Sequence, residues 1–487
     1  MNCGFDSEKY LEEQAAAIME RAGKFDDKLY LEFGGKLMGD HHAARVLPGF
    51  DPDTKIKLLQ RMKDKIDIVI CIYSGDIEQR KMRADYGISY DADVMRTIDV
   101  LGDWDLTVKA VVVTRYQNQP AVRGFINRLS RRGIKVYLHK PIAGYPTELD
   151  TIVSSKGYGS NSYIETDKPI VVVTGPGASS GKMGTCLSQV YHDFQKGIRA
   201  GYAKFETFPV WNLPLKHPIN VAYEAATADL QDVNMIDPFH LEAYGETAVN
   251  YNRDIEIYPV LDALFTSIYG ANPYKSPTNM GVNMVGFCIS NEDTCCEASK
   301  QEIIRRYFQA LCRMANGACN DNEIKKLALL QKQVGINTAY RKTTVAARER
   351  KEQSFADAAA AIELPDGRII TAKSSALLGS SAALLLNVVK ELAGIDNAIN
   401  LIPQNMIEPI QKTKIEYLHG RNPRLHTDEV LVALSVLSLG DENCRKALEA
   451  LPLLKGCQAH STVMLNEVDQ RTFTKLGINL TCDPSQS

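Results

Sequence analysis

The sequence predicts an α/β protein: a doubly wound, mostly parallel sheet in the N-terminal part, a helical middle segment, and a smaller C-terminal α/β domain. Three observations carry this. Six short apolar, β-branched runs recur in the first two hundred residues. Amphipathic stretches with helical spacing separate them. The runs are continuously apolar rather than alternating, which marks strands covered on both faces by crossover helices.

The runs are Leu29–Phe33, Ile66–Tyr73, Val108–Thr114, Ile134–Leu138, Ile170–Thr174 and Tyr202–Phe205. The helical stretches are Asp53–Lys65, Asp91–Leu101, Pro120–Arg132 and Gly181–Lys196. From 207 to about 300, seven prolines break the chain into short pieces, with Val221–Leu230 reading as a helix. Helices are expected at Cys296–Asn316, Asn322–Gln333 and Lys342–Ala361. A strand pair is expected across Ala361–Ala372, around the turn Pro365-Asp366-Gly367, followed by a helix over Ser374–Leu392. Domains are drawn at 1–295 (Rossmann-like), 296–360 (helical) and 361–487 (α/β).

The chain has 487 residues, 56 Lys plus Arg against 59 Asp plus Glu, and a net charge of −3. That balance excludes a general nucleic-acid binder. No apolar run is long enough to cross a bilayer, and the N-terminus lacks the apolar segment of a secretory signal. Eleven cysteines, an odd number without framework spacing, indicate reduced thiols and a cytoplasmic protein. Adjacent Cys295-Cys296 makes a poor zinc clip, because neighbouring side chains diverge.

Ligands of open α/β sheets bind beyond the carboxyl ends of the strands. Those ends carry Gly34-Gly35-Lys36, Ser74-Gly75-Asp76, Arg115, His139-Lys140, Gly175 to Lys182, and Lys204 with Glu206. Small residues admit a ligand close to the backbone and cations complement a polyanion, so a phosphorylated small molecule is expected. The fifth end is the sharpest: a strand, the loop Gly175-Pro-Gly177-Ala-Ser179-Ser180-Gly181, Lys182, then a helix. This is the P-loop layout, with non-standard spacing and Met183 where Ser or Thr would hold magnesium. Thr185, Ser179 or Ser180 could substitute. The segment resembles the deviant P-loops of CTP synthase and dethiobiotin synthetase, in which a Val-Thr-Gly loop ends in Gly-Lys and the next strand carries a lysine, here Lys204. Those enzymes carry the loop on their first strand; here it follows the fifth.

Nearly the whole chain is similar to an uncharacterised bacterial family, domain of unknown function 1846. The resemblance rests on Tyr30–Lys36, His42–Asp53, Gly175–Lys182, Gly201–Pro209, Asn422–Glu429 and Leu454–Thr462. Some members bear an ATP-dependent zinc protease label; the loop is compatible with its ATP half, and the zinc-protease motif His-Glu-x-x-His is absent here.

The expected function is an ATP-dependent, or other nucleotide-dependent, enzyme of small-molecule metabolism, by phosphoryl transfer or ligation. Gly175, Gly177, Ser179, Ser180, Gly181, Lys182 and Thr185 would hold phosphates, with Gly34, Gly35 and Lys36 beside them. Lys182, Lys204, Arg115 and Asp229 are the expected catalytic groups. Asp229 and Asp237, each in an apolar setting, would bind Mg2+, since a buried carboxylate needs a reason. Two alternatives stay open. One is an enzyme of a phosphorylated metabolite or a dinucleotide, with Glu206 on a ribose. The other is a non-catalytic nucleotide sensor or assembly protein. A homo-oligomer is expected in each case. Cys457, His460 and Cys482 read as core residues, and Thr427 as a helix N-cap.

Overall fold

A computed structural model describes residues 3–83 and 87–485. Contacts divide the chain into two bodies, residues 2–224 with 231–296, and residues 225–230 with 297–487.

The first body is built on a seven-stranded parallel sheet. Its strands are β1 (Leu29–Phe33), β2 (Ile66–Tyr73), β3 (Val108–Thr114), β4 (Lys135–Leu138), β5 (Ile170–Thr174), β6 (Gly201–Phe205) and β7 (Gly281–Val282). Their order is β7-β6-β1-β5-β2-β3-β4. All six expected strands form within a residue of their expected bounds. The seventh, two residues long, lies inside the proline-rich stretch, where no run is long enough to reveal it.

β2 and β5 are buried along nearly their whole length, as strands covered on both faces must be. On one face, Tyr30, Val69, Cys71, Val171, Val173 and Tyr202 pack against Cys186, Leu187 and Val190 of the helix Lys182–Gln195. Leu261, Leu264 and Phe265 of the helix Asn252–Tyr269 join the same core. The sheet reverses its winding at β5. The chain leaves β5 for β6, past β1, whereas it leaves β2 for β3 in the opposite direction. Connections that part in this way open a crevice at the carboxyl ends of the strands.

The second body holds a mixed sheet of β8 (Ala359–Glu363), β9 (Ile369–Lys373), β10 (Gln458–Ser461) and β11 (Asn479–Cys482), ordered β9-β8-β10-β11. The β8–β9 hairpin turns at Gly367, whose φ of +85° suits glycine. The helix expected to reach Ala361 stops at Ser354, after which Phe355 takes a left-handed conformation. Ala359–Ala361 are helix formers by propensity, but pairing with both β9 and β10 makes them strand. The later helix begins at Ser380 rather than Ser374.

Arg341 is fully buried and donates to Gln301 and Gln458 side chains and to the Ala459 and Asn479 carbonyls. His460 is likewise buried, with Nδ1 2.8 Å from Thr481 Oγ1. His426, not Thr427, is the N-cap of the helix Thr427–Leu437. Its backbone N–H donates to Glu429, and the Thr427 hydroxyl turns instead to Asp469.

Candidate functional site

The Gly/Ser loop sits where the sheet reverses its winding. β5 ends at Thr174, the loop turns over Gly175–Gly181, and the fourteen-residue helix Lys182–Gln195 begins. A Cβ on Gly175 would lie 2.5 Å from the Cys71 carbonyl oxygen. One on Gly181 would lie 2.7 Å from Thr114 Oγ1, and Gly181 also has φ +89°. Neighbouring donors tie down the loop carbonyls. Ser180 Oγ donates to Gly177 O at 2.9 Å, and Thr114 Oγ1 to Ser180 O at 2.8 Å. Arg115 donates to Ser179 O while lying 3.5 Å over the Tyr73 ring. Arg115 therefore braces the loop from the neighbouring strand end.

Gly181 is the N-cap of the helix, and no side chain caps it. The first-turn N–H groups of a helix need partners from outside the helix, and its dipole favours negative charge there. Lys182 folds back over the loop, with Nζ 3.4 Å from Gly177 O and 4.0 Å from Glu32 Oε1. Beside the loop, Gly35, Lys36, Leu37 and Met38 meet Thr174, Gly175 and Pro176 around a cleft of about 400 Å³. Arg83, Asp93 and Arg96 also line it. The two glycine segments that the sequence singled out, after β1 and after β5, thus share one cleft.

Thr185, Lys204, Asp237 and Asp229 do not line this cleft. Thr185 is buried one turn into the helix, its hydroxyl accepting from Cys71 Sγ at 3.5 Å. Lys204 is ion-paired with Asp254, so its charge is already matched. Asp237 is fully buried, as its apolar setting implied, but the reason is capping. Oδ1 accepts from the Phe239 and His240 N–H groups, and Oδ2 from the Thr278 N–H and hydroxyl. Asp229 is exposed, in a short turn (Ala228–Leu230) that belongs to the second body, so its apolar neighbours do not bury it.

Next to Lys182 the structure assembles a group of charges in which Glu32 and Asp254, not singled out from the sequence, join Lys204 and Glu206. Glu32 of β1 is in register with Lys204 of β6 and accepts from Tyr202 OH at 2.8 Å. Lys204 contacts Asp254 at the start of the helix Asn252–Tyr269. Glu206 lies within the influence of the Asp254 charge and accepts from Tyr251 OH at 3.4 Å. Three carboxyls thus meet two lysines. Two carboxylates side by side disfavour ionisation of both, so their titrations are linked.

Burial and the neighbouring Asp254 charge push the Glu206 carboxyl well above the usual range. Burial pulls the Lys204 ammonium down, but the facing carboxylates, Asp254 first, outweigh it and hold it up at about 12. Glu206 faces a second recess, of about 240 Å³, with Trp211, Asn250, Thr278 and Asn283. The position expected for a ribose-binding acid holds a half-buried carboxyl that already accepts from Tyr251 OH. The signal was present in Leu-Tyr-Leu-Glu-Phe and Gly-Tyr-Ala-Lys-Phe, two strands with a charge at the same place. It becomes legible only once the strands are known to be neighbours.

No helix among the described residues is long and apolar enough to cross a membrane. The model of the domain of unknown function DUF1846, N-terminal, matches residues 3–335, and that of its C-terminal domain matches 339–487. A UPF0371 protein of Streptococcus pyogenes serotype M3 is 53% identical over 480 residues, covering 99% of this chain and 97% of the relative. A UPF0371 protein of Streptococcus thermophilus matches with the same identity and coverage. With both of its domain models matched in order along nearly the full length, the chain belongs to the DUF1846 family.

Proposed function

We propose that this protein is a nucleotide-dependent enzyme of small-molecule metabolism, with ATP the leading ligand, acting by phosphoryl transfer or ligation. The observation that carries the reading is the uncapped N-terminus of the helix Lys182–Gln195. It is presented by a tightly packed glycine loop at the point where the sheet winding reverses, with a lysine folded over it. An anion there would satisfy the first-turn N–H groups and draw Lys182 away from Glu32. Lys36, on the rim of the shared cleft, would meet the remainder of a polyphosphate. Bound Mg2+ would supply positive charge against the phosphates beside Lys182 and Lys36.

Glu206 and Asp254 supply a proton carrier one strand away from Glu32, suited to handling the proton of an acceptor group. In a transfer step the acceptor oxygen or nitrogen would bond to phosphorus as the bond to the departing diphosphate breaks. The acceptor proton would pass to the carboxyl pair.

Calorimetric titration with ATP, with and without Mg2+, tests this. Saturable binding is expected, weakened at least tenfold in Lys182→Ala, the cost of losing one charge-assisted contact. Equal affinity in the variant, or no binding in either protein, would remove the reading.

A further inference from the structure

Away from the loop, within the same body, three side chains of different chemistry converge. Glu292 and Cys296 lie four residues apart on the helix Glu292–Ala315, hence on one face of it. His217, just before the helix Pro218–Ala226, faces them. Its Nε2 is 3.0 Å from Glu292 Oε1 and 3.6 Å from Cys296 Sγ, and the three atoms all lie within 4.8 Å of one another.

A single Nε2 proton can serve only one of two acceptors, whereas one cation serves all three atoms at once. The adjacent cysteine takes no part: Cys295 Sγ turns to Gly4 O at 3.2 Å. Cys295 and Cys296 thus diverge, as expected of neighbours on a helix, and Cys296 alone is aimed at the imidazole.

The geometry points to a site for a divalent transition-metal ion, zinc by preference, held by His217, Glu292 and Cys296. Imidazole, thiolate and carboxylate are the donor types zinc favours, and three protein ligands leave a fourth position open. The site is asymmetric, with the His217 side chain 6% exposed and the Glu292 side chain 66% exposed. The open position therefore lies on the solvent side. On binding, the Cys296 thiol proton leaves to solvent. The His217 proton moves from Nε2 to Nδ1, giving up the 3.3 Å contact that Nδ1 accepts from the Ile219 N–H. That contact is long and weak beside three metal–ligand bonds.

The test uses the full-length protein, stripped with chelator and titrated with Zn2+ against a chromophoric competitor, then with Co2+ to read the thiolate. One equivalent of zinc is expected, with affinity reduced at least tenfold in Cys296→Ser and in Glu292→Gln. Glu292 is a surface residue, so its variant keeps the test independent of folding. Cobalt should show thiolate charge-transfer absorption that Cys296→Ser abolishes and Glu292→Gln retains. Absence of stoichiometric zinc, or zinc held equally well by both variants through other thiols, would overturn the site.

Discussion

Gly181 does two things that no other residue type could do in its place. It adopts φ +89°, and it leaves room for the Thr114 side chain, all of whose heavy atoms beyond Cα would lie within 3 Å of an added Cβ. Replacement by alanine should cost about 2–4 kcal/mol, the sum of left-handed strain and overpacking. It should also weaken any anion bound at the loop, as urea unfolding and ATP titration of Gly181→Ala would measure. Asp237 is the corresponding single point in the proline-rich stretch. Its carboxylate serves four donors, three backbone N–H groups and one hydroxyl. Asp237→Ala should lower unfolding free energy by about 2–4 kcal/mol, since buried donors are left without partners. A change below 1 kcal/mol in denaturant titration would contradict that account.

At the scale of elements, the registered pair β1–β6 sets the pH behaviour of the first body. Glu206 holds its proton to higher pH in the fold than in the unfolded chain, where its ordinary value is 4.5. The folded state therefore binds more protons than the unfolded one, and stability falls as pH rises from 4.5 toward the raised folded value. Glu206→Gln keeps a donor toward Asp254 without the titration. Its melting temperature should exceed that of the wild type at pH 8 and lose that advantage near pH 4, where both chains carry a neutral group. The reverse order would mean that Glu206 is ionised in the fold.

The same pair shows where sequence reading stops. β1 and β6 were each legible from their apolar runs, as was the glycine loop from its strand–loop–helix order. That Glu32 stands beside Lys204 depends on strand order, which places segments more than 170 residues apart side by side. Lys204 was thus read as a phosphate cation although it is matched by Asp254. Asp237 was read as a metal ligand because burial was legible and the four donors were not. The helix overrun to Ala361 has the same origin. Alanine propensity is local, whereas the two partners of β8 come from residues 369–373 and 458–461.

For the whole molecule, the bodies divide at 296/297, and residues 297–360 group with the C-terminal sheet. The two family models meet later, near 335–339. The difference matters for dissection. Phe308 lies 4.9 Å from His460 of β10, and Gln301 accepts from the buried Arg341. A fragment of residues 297–487 should melt cooperatively by circular dichroism. A fragment of 339–487, which bares that face of the sheet, should not. Equal melting of the two fragments would show that the helix is dispensable.

The brevity of β7 bears on how the protein behaves at high concentration. A sheet of seven parallel strands has two open margins, and a long, flat margin is a template for pairing with another chain. Here one margin is a strand of two residues and the other a strand of four whose first residue, Lys135, is exposed and charged. Neither offers enough unpaired backbone to seed cross-chain pairing. This body is thereby guarded against fibrillar aggregation even though its central strands, Ile66–Tyr73 and Ile170–Thr174, are the kind of segment that aggregates most readily once exposed.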